Sequence, residues 1–148
     1  KENLFREAVA YYNDPQRSPT TRALRDQPTA RAAVEAMLRD NARLYTDPDN
    51  PRGCLIVLAG TTYTPDSEPV KDLLKDLRGR DLGDLRQRLH EAIVDGELPH
   101  HVEPAALARF IITILQGLSI QARDGASLAQ LNAVIDQTMR AWDHLTTA

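Results

Sequence analysis

The sequence predicts an all-α fold, and three observations carry that expectation. Apolar residues recur at helical spacing in every long segment, and all nine prolines fall at or before Pro104, where they punctuate those segments. The one continuous apolar run, Cys54 to Ala59, has no second strand-like stretch to pair with. A lone strand leaves its backbone donors and acceptors unsatisfied in the interior, so that run reads as a buried helix. A chain of 148 residues forms one domain, which at this size buries roughly 68 to 70% of its unfolded surface.

Six helices follow in order. The first spans Glu2 to Tyr12 and resumes from Thr20 to Gln27 after a turn at Asn13, Asp14 and Pro15. The second, capped by Thr29, carries Ala33, Met37, Leu38, Leu44 and Tyr45 toward the core. The third starts near Gly53 and runs to about Thr62. The fourth is capped by Asp66 or Ser67, places Val70, Leu74, Leu77, Leu85, Leu89 and Ile93 on one face, and ends at Asp95 and Gly96. Gly79 and Gly83 weaken its middle, each by roughly 1 kcal/mol relative to Ala, and predict a bend. The fifth opens with Pro104 in the favoured first position and stops at Gly125; the sixth opens with Ser127 and Gln130 at capping-box spacing and reaches about Leu145.

The fifth helix is apolar around nearly its whole circumference, through Leu107, Phe110, Ile111, Ile112, Ile114, Leu115, Leu118 and Ile120. Such a helix is either central to the domain or covered on its outer side by a second subunit. The sixth, with Leu131, Val134, Ile135, Met139, Trp142 and Leu145, also exceeds a narrow stripe, which favours the second arrangement. A homodimer is expected through an isologous contact of Thr113, Gly117, Ile120, Ile135, Met139 and Trp142, with Gly117 allowing close approach.

Composition excludes several classes. Eighteen basic against 21 acidic residues leave a net charge of −3 with no basic stripe, so this chain alone is poorly suited to nucleic acid. No stretch approaches the roughly 20 apolar residues of a membrane span, and the single cysteine forms no internal disulfide. No nucleophile elbow, phosphate loop, dinucleotide motif or paired-cysteine spacing is present, so an enzyme is not expected, nor a cofactor or metal. His100 and His101, near Glu97 and Glu103, sit on a Pro-flanked stretch where adjacent ligands diverge; Asp47, Asp49 and Asn50 read as a turn. Cys54 reads as a packing residue, although a helix start and Arg52 lie beside it.

More informative are the polar and aromatic groups set among apolar neighbours: Tyr11, Tyr12, Asn41, Tyr45, Thr61, Thr62, Tyr63 and Gln116. A buried phenol or amide needs a hydrogen-bond partner, and several converging between helices describe a mostly apolar pocket with a few orienting groups. Predicted inward faces place that pocket among Tyr11, Tyr12, Asn41, Tyr45, Val57, Thr61, Leu74, Leu85, Leu89, Phe110 and Ile114. A lining without buried Lys or Arg suits a small, neutral or weakly polar organic molecule, apolar or aromatic.

The segments Lys1-Glu2-Asn3-Leu4-Phe5, Pro51-Arg52-Gly53-Cys54-Leu55-Ile56-Val57, Asp95-Gly96-Glu97-Leu98-Pro99 and those that follow to Ala126 stand in an order that resembles the tetracycline-repressor-like (TetR) family of bacterial regulators. Lys1-Glu2-Asn3-Leu4-Phe5 is similar to the stretch after the family's DNA-recognition helix, and Pro51-Arg52-Gly53-Cys54-Leu55-Ile56-Val57 to the approach to its sixth helix in one branch. Asp95-Gly96-Glu97-Leu98-Pro99, Ala108-Arg109-Phe110, Leu115-Gln116-Gly117-Leu118 and Gln121-Ala122-Arg123-Asp124-Gly125-Ala126 are similar to that branch's last helices. The resemblance implies a cytoplasmic repressor in two parts: a helix-turn-helix that binds operator DNA, expected before Lys1, and a larger effector-binding, dimerising domain, which is this chain over 1–148. It implies an effector pocket among the first five helices and a four-helix dimer interface from the last two. Two other readings stand beside it, a helical dimerisation module without a small-molecule ligand and a small helical enzyme. A cavity of a few hundred Å³ discriminates sensing from mere dimerisation.

Overall fold

The computed structural model describes residues 2–14, 16–59 and 68–147, which form seven helices and no strand. They are α1 (Glu2–Tyr12), α2 (Pro19–Asp26), α3 (Ala30–Thr46), α4 (Leu55–Leu58), α5 (Glu68–Val94), α6 (Pro104–Arg123) and α7 (Leu128–Leu145). The all-α expectation holds, with one helix more than the sequence suggested. What looked like a resumption of the first helix is a helix of its own, because Ser18 caps it, accepting the Thr21 N–H at 3.3 Å, and Pro19 starts it.

Local signals set most of the ends. Thr29 Oγ1 accepts the Ala32 N–H at 3.1 Å and starts α3. Ser127 and Gln130 close a reciprocal capping box on α7, with N···O distances of 2.8 and 3.2 Å. At the far end of α5 the Glu97 N–H reaches the Ala92 carbonyl at 2.8 Å and the Gly96 N–H reaches that of Ile93 at 3.1 Å. Ala126 and Gly125 repeat the pattern on Gln121 and Ala122, at 2.9 and 3.1 Å. Gly96 and Gly125, with φ of 76° and 104°, supply the left-handed residue that this terminating motif needs. The α5 helix runs unbroken through Gly79 and Gly83 for 27 residues, about 40 Å. Its proposed caps, Asp66 and Ser67, lie outside the described residues.

Packing puts α6 at the centre, against α3, α4, α5 and α7, while α3 also packs on α2 and α7. The apolar circumference of α6 therefore belongs chiefly to the domain's own core: Leu107, Ala108, Ile111, Ile112, Leu115, Leu118 and Ala122 are buried. Contrary to the expectation drawn from unbroken apolar runs, Pro104–Arg123 is by length and composition apolar enough to cross a membrane, a property it shares with core helices, and here it packs as one. Thr113 and Ile120 stay exposed and Gly117 is half-buried. The α7 helix turns Leu131, Ile135, Met139 and Trp142 inward. Ile135, Met139 and Trp142, expected in the dimer contact, are 0, 4 and 1% exposed within one chain, turned into the domain's own core. Outside, Arg39 on α3 reaches Asn132 and Asp136 of α7 at 3.1 and 2.7 Å, and Arg31 pairs with Asp143 at 2.6 Å.

The buried side chains form two clusters. The main one joins α2, α3, α6, α7 and the second half of α5, and contains Leu85 and Leu89. The lesser one consists of Val9, Ile56, Leu74 and Leu77, with Phe5, Val70 and Leu73 against it. Cys54 packs against both clusters. Glu97, weighed in the sequence as a metal neighbour, instead accepts the Ala30 N–H at the start of α3 and lies 3.5 Å from Arg88.

Candidate functional site

A cavity of about 430 Å³ opens where the two clusters meet. Its walls are Ala8, Tyr11 and Tyr12 of α1; Thr20 of α2; Asn41, Leu44 and Tyr45 of α3; Cys54 to Val57 at α4; Arg78 and Asp81 of α5; and Ile112, Leu115 and Gln116 of α6. The stretch before α4 is bolted to α6, which fixes the wall. Arg52 Nη1 donates to the Ala122 and Ala126 carbonyls at 3.1 Å each, and the Gly53 N–H donates to the Tyr45 carbonyl at 3.1 Å. Gly53 has φ of 84°, and a Cβ there would stand 2.8 Å from the Ser119 carbonyl oxygen, so only glycine fits. Ser119, fully buried, then accepts the Cys54 backbone N–H at 2.8 Å.

The polar groups are few and distinct. Tyr45 is 3% exposed, and burial first, then the neighbouring Cys54, Tyr12 and Asp81, hold its phenol well above its ordinary pKa. Tyr12 accepts the Leu55 N–H at 3.4 Å; burial and the adjacent Cys54 push it up to about 12. Both phenols stay neutral at physiological pH and so keep a hydroxyl proton. Asn41 Nδ2 donates to Thr20 Oγ1 at 3.1 Å and to the Met37 carbonyl at 2.8 Å, which leaves its Oδ1 free to accept. Arg78 Nη1 donates to the Ile56 carbonyl at 2.8 Å. Asp81 makes no hydrogen bond or ion pair with the described residues, and burial, aided by Asp84, lifts its carboxyl to about 6.

Of the residues expected to line a pocket, Tyr11, Tyr12, Asn41, Tyr45 and Val57 do so. Tyr11 stands at the mouth, 71% exposed, its hydroxyl held by Arg17 Nη1 at 3.0 Å with that guanidinium 5.1 Å over the ring. Thr61 lies outside the described residues. Leu74 faces the lesser cluster, Leu85 and Leu89 fill the main core, and Phe110 and Ile114 pack on that core away from the cavity. The sequence also missed the charge in the lining, which carries Arg17, Arg78 and Asp81 rather than no basic residue. The signal was there: steps of three, four and seven from Leu74 reach Leu77, Arg78 and Asp81, so two charged residues interrupt the apolar stripe of α5.

Comparison with known proteins is consistent along the whole chain. The profile of the family described as "Tetracyclin repressor-like, C-terminal domain" matches residues 30–142. The HTH-type transcriptional repressor ComR of Escherichia coli (strain K12) is 33% identical over 146 residues, which are 98% of this chain and 70% of ComR. A cysteine mutant of the TetR family transcriptional regulator CifR, solved with 26-base-pair double-strand operator DNA, superimposes with a TM-score of 0.90 at 40% identity, over 95% of this chain and 74% of that one. A putative TetR transcriptional regulator from Rhodococcus sp. RHA1 gives a TM-score of 0.74 at 29% identity, over 99% and 76% of the two chains. Fold, family profile and relatives agree: the chain belongs to the TetR family of transcriptional regulators, as a C-terminal domain of that family.

Proposed function

We propose that this domain senses a small organic effector for a transcriptional repressor, and that the cavity between α1 and α6 is where the effector binds. The observation that carries the reading is the cavity itself: about 430 Å³, walled by aliphatic and phenolic side chains with a handful of convergent polar groups. Repression in ComR and operator DNA bound to CifR support a DNA-reading partner domain outside these 148 residues. That arrangement makes the parent protein a cytoplasmic, non-enzymatic regulator. The effector acts by preferring one placement of α1, which contributes Ala8, Tyr11 and Tyr12 to the wall; a ligand indifferent to that placement would shift nothing.

Dimerisation belongs to the same proposal, through the outward faces of α6 and α7. Thr113, Gly117 and Ile120 on one helix and Val134 and Leu145 on the other are the exposed or half-buried candidates, with Ile120, Val134 and Leu145 exposed at 44, 42 and 49%. Pairing two such faces by a two-fold axis would make a four-helix contact of the kind the family resemblance implies.

A thermal-shift screen of aromatic and aliphatic compounds tests the sensing role, since a ligand at one hundred times its Kd adds about 2.7 kcal/mol of stability. Val57→Phe, which fills the cavity from α4, is expected to abolish the response to every hit while the helical circular dichroism persists. Hits that bind the variant unchanged would place the site elsewhere, and a screen without hits would favour the plain dimerisation module.

A further inference from the structure

Resting on the reading of this cavity as an effector site, we propose that the effector carries a cationic nitrogen, an ammonium or amidinium group, which pairs with Asp81 while its apolar body lies against Tyr12, Tyr45 and Leu115. Asp81 is a cavity-lining carboxyl with no protein partner among the described residues. A carboxylate withdrawn from water without a counter-charge is unfavourable, and a cation placed beside it removes most of that cost.

The surroundings point the same way. Tyr12, Tyr45 and Cys54, the other titratable groups around it on the α1, α3 and α4 walls, are neutral or, when ionised, negative; none neutralises a carboxylate. The Tyr45 phenol is held in its protonated form partly by the charge of Asp81, so the two groups share the same end of the cavity. Arg78, one turn earlier on α5, is engaged by the Ile56 carbonyl and forms no ion pair with Asp81. Arg17 is held at the mouth by Tyr11. Arg6, Arg80 and Asp84 line a separate outer cleft that Asp81 also borders. Two phenol rings near an unpaired carboxylate form a cation site by ring quadrupole as well as by charge. An anionic effector at that end of the cavity would meet the Asp81 carboxylate, while Arg78 and Arg17, the cations of the lining, are engaged by the Ile56 carbonyl and by Tyr11.

The test uses two matched series, arylalkylamines from benzylamine to phenylbutylamine and the corresponding arylalkyl alcohols, titrated calorimetrically at neutral pH into the wild-type chain, Asp81→Asn and Asp84→Asn. We expect amines to bind the wild type and Asp84→Asn at least about tenfold more tightly than their alcohols, as a charge-assisted contact requires. Asp81→Asn is expected to erase that preference while alcohol affinity stays within about twofold, the neutral contacts being untouched. Equal binding of amines and alcohols to the wild type, or a preference that survives Asp81→Asn, would overturn the cation inference and leave the effector site standing. If neither series bound any of the three proteins, the effector-site reading would fall and this inference with it.

Discussion

The Ser119 hydroxyl accepts the Cys54 backbone N–H at 2.8 Å, while the carbonyl of the same serine stands where a side chain on Gly53 would be. One residue of α6 thus both holds the cavity wall and dictates what precedes it. Gly53→Ala is expected to cost roughly 2 kcal/mol or more, from the left-handed backbone together with the backbone clash. Ser119→Ala, which leaves the Cys54 N–H without its acceptor, should cost about 1–3 kcal/mol. Urea denaturation of both variants measures this, and unchanged midpoints would mean that the wall is not fixed by this contact.

The two glycines inside α5 behave oppositely. A Cβ at Gly79 or Gly83 would meet nothing within 4 Å, and neither backbone is left-handed. Gly79→Ala and Gly83→Ala should each stabilise the domain by about 1 kcal/mol, and the pair should be close to additive. A melting temperature that fell in either variant would show that α5 needs flexibility there.

Asp81 makes stability depend on pH. Its carboxyl is lifted from 3.8 to about 6 in the folded chain, chiefly by burial. An acid that holds its proton more tightly when folded contributes its full stabilisation below the unfolded pKa and loses it as the pH climbs through the folded one. Between pH 4 and 6, therefore, this residue's contribution falls. Asp81→Asn is expected to be more stable than the wild type by roughly 1–3 kcal/mol at pH 7, and nearly equal to it at pH 3. Denaturation midpoints at the two pH values check both the sign and the window.

The outward face and the core of the last two helices should separate cleanly by mutation. Ile120→Lys and Val134→Lys, on the exposed side, are expected to yield folded monomers by analytical ultracentrifugation at micromolar concentration. Trp142→Ala, at 1% exposure, should instead lose about 3–5 kcal/mol of folding stability. Lysine variants that remained dimeric would move the interface to other helices.

Helix ends were legible in the sequence because caps act over three or four residues: Ser127 with Gln130, Thr29, Pro104, Gly96 and Gly125 each do locally what their types suggest. Facing was less legible. Ile135, Met139 and Trp142 share the spacing of a partner-seeking stripe, yet the same spacing serves an internal contact with α3 and α6, and periodicity does not say which neighbour covers an apolar face. The cavity was half visible for a related reason. Phenols and amides such as Tyr12, Tyr45 and Asn41 stand out among apolar residues, whereas Leu74, Leu85 and Leu89 are equally at home in a closed core. Arg78 and Asp81 lie on the stripe that runs through Leu74 and Leu77, but a charged residue type does not by itself say whether it faces a cavity or solvent.

The uneven division of the buried side chains has a dynamic consequence. Among the described residues, Val9 is the only fully buried one that α1 contributes, and it joins a four-member cluster rather than the main core. Releasing Val9, the half-buried Phe5 and the Tyr12 contact to Leu55 exposes far less apolar surface than global unfolding does, so α1 is expected to open as a sub-global unit while α3 and α6 keep their amides protected from exchange with solvent. On the proposed sensing role, the helix that completes one wall of the cavity is also the one that a binding energy of a few kcal/mol would suffice to reposition.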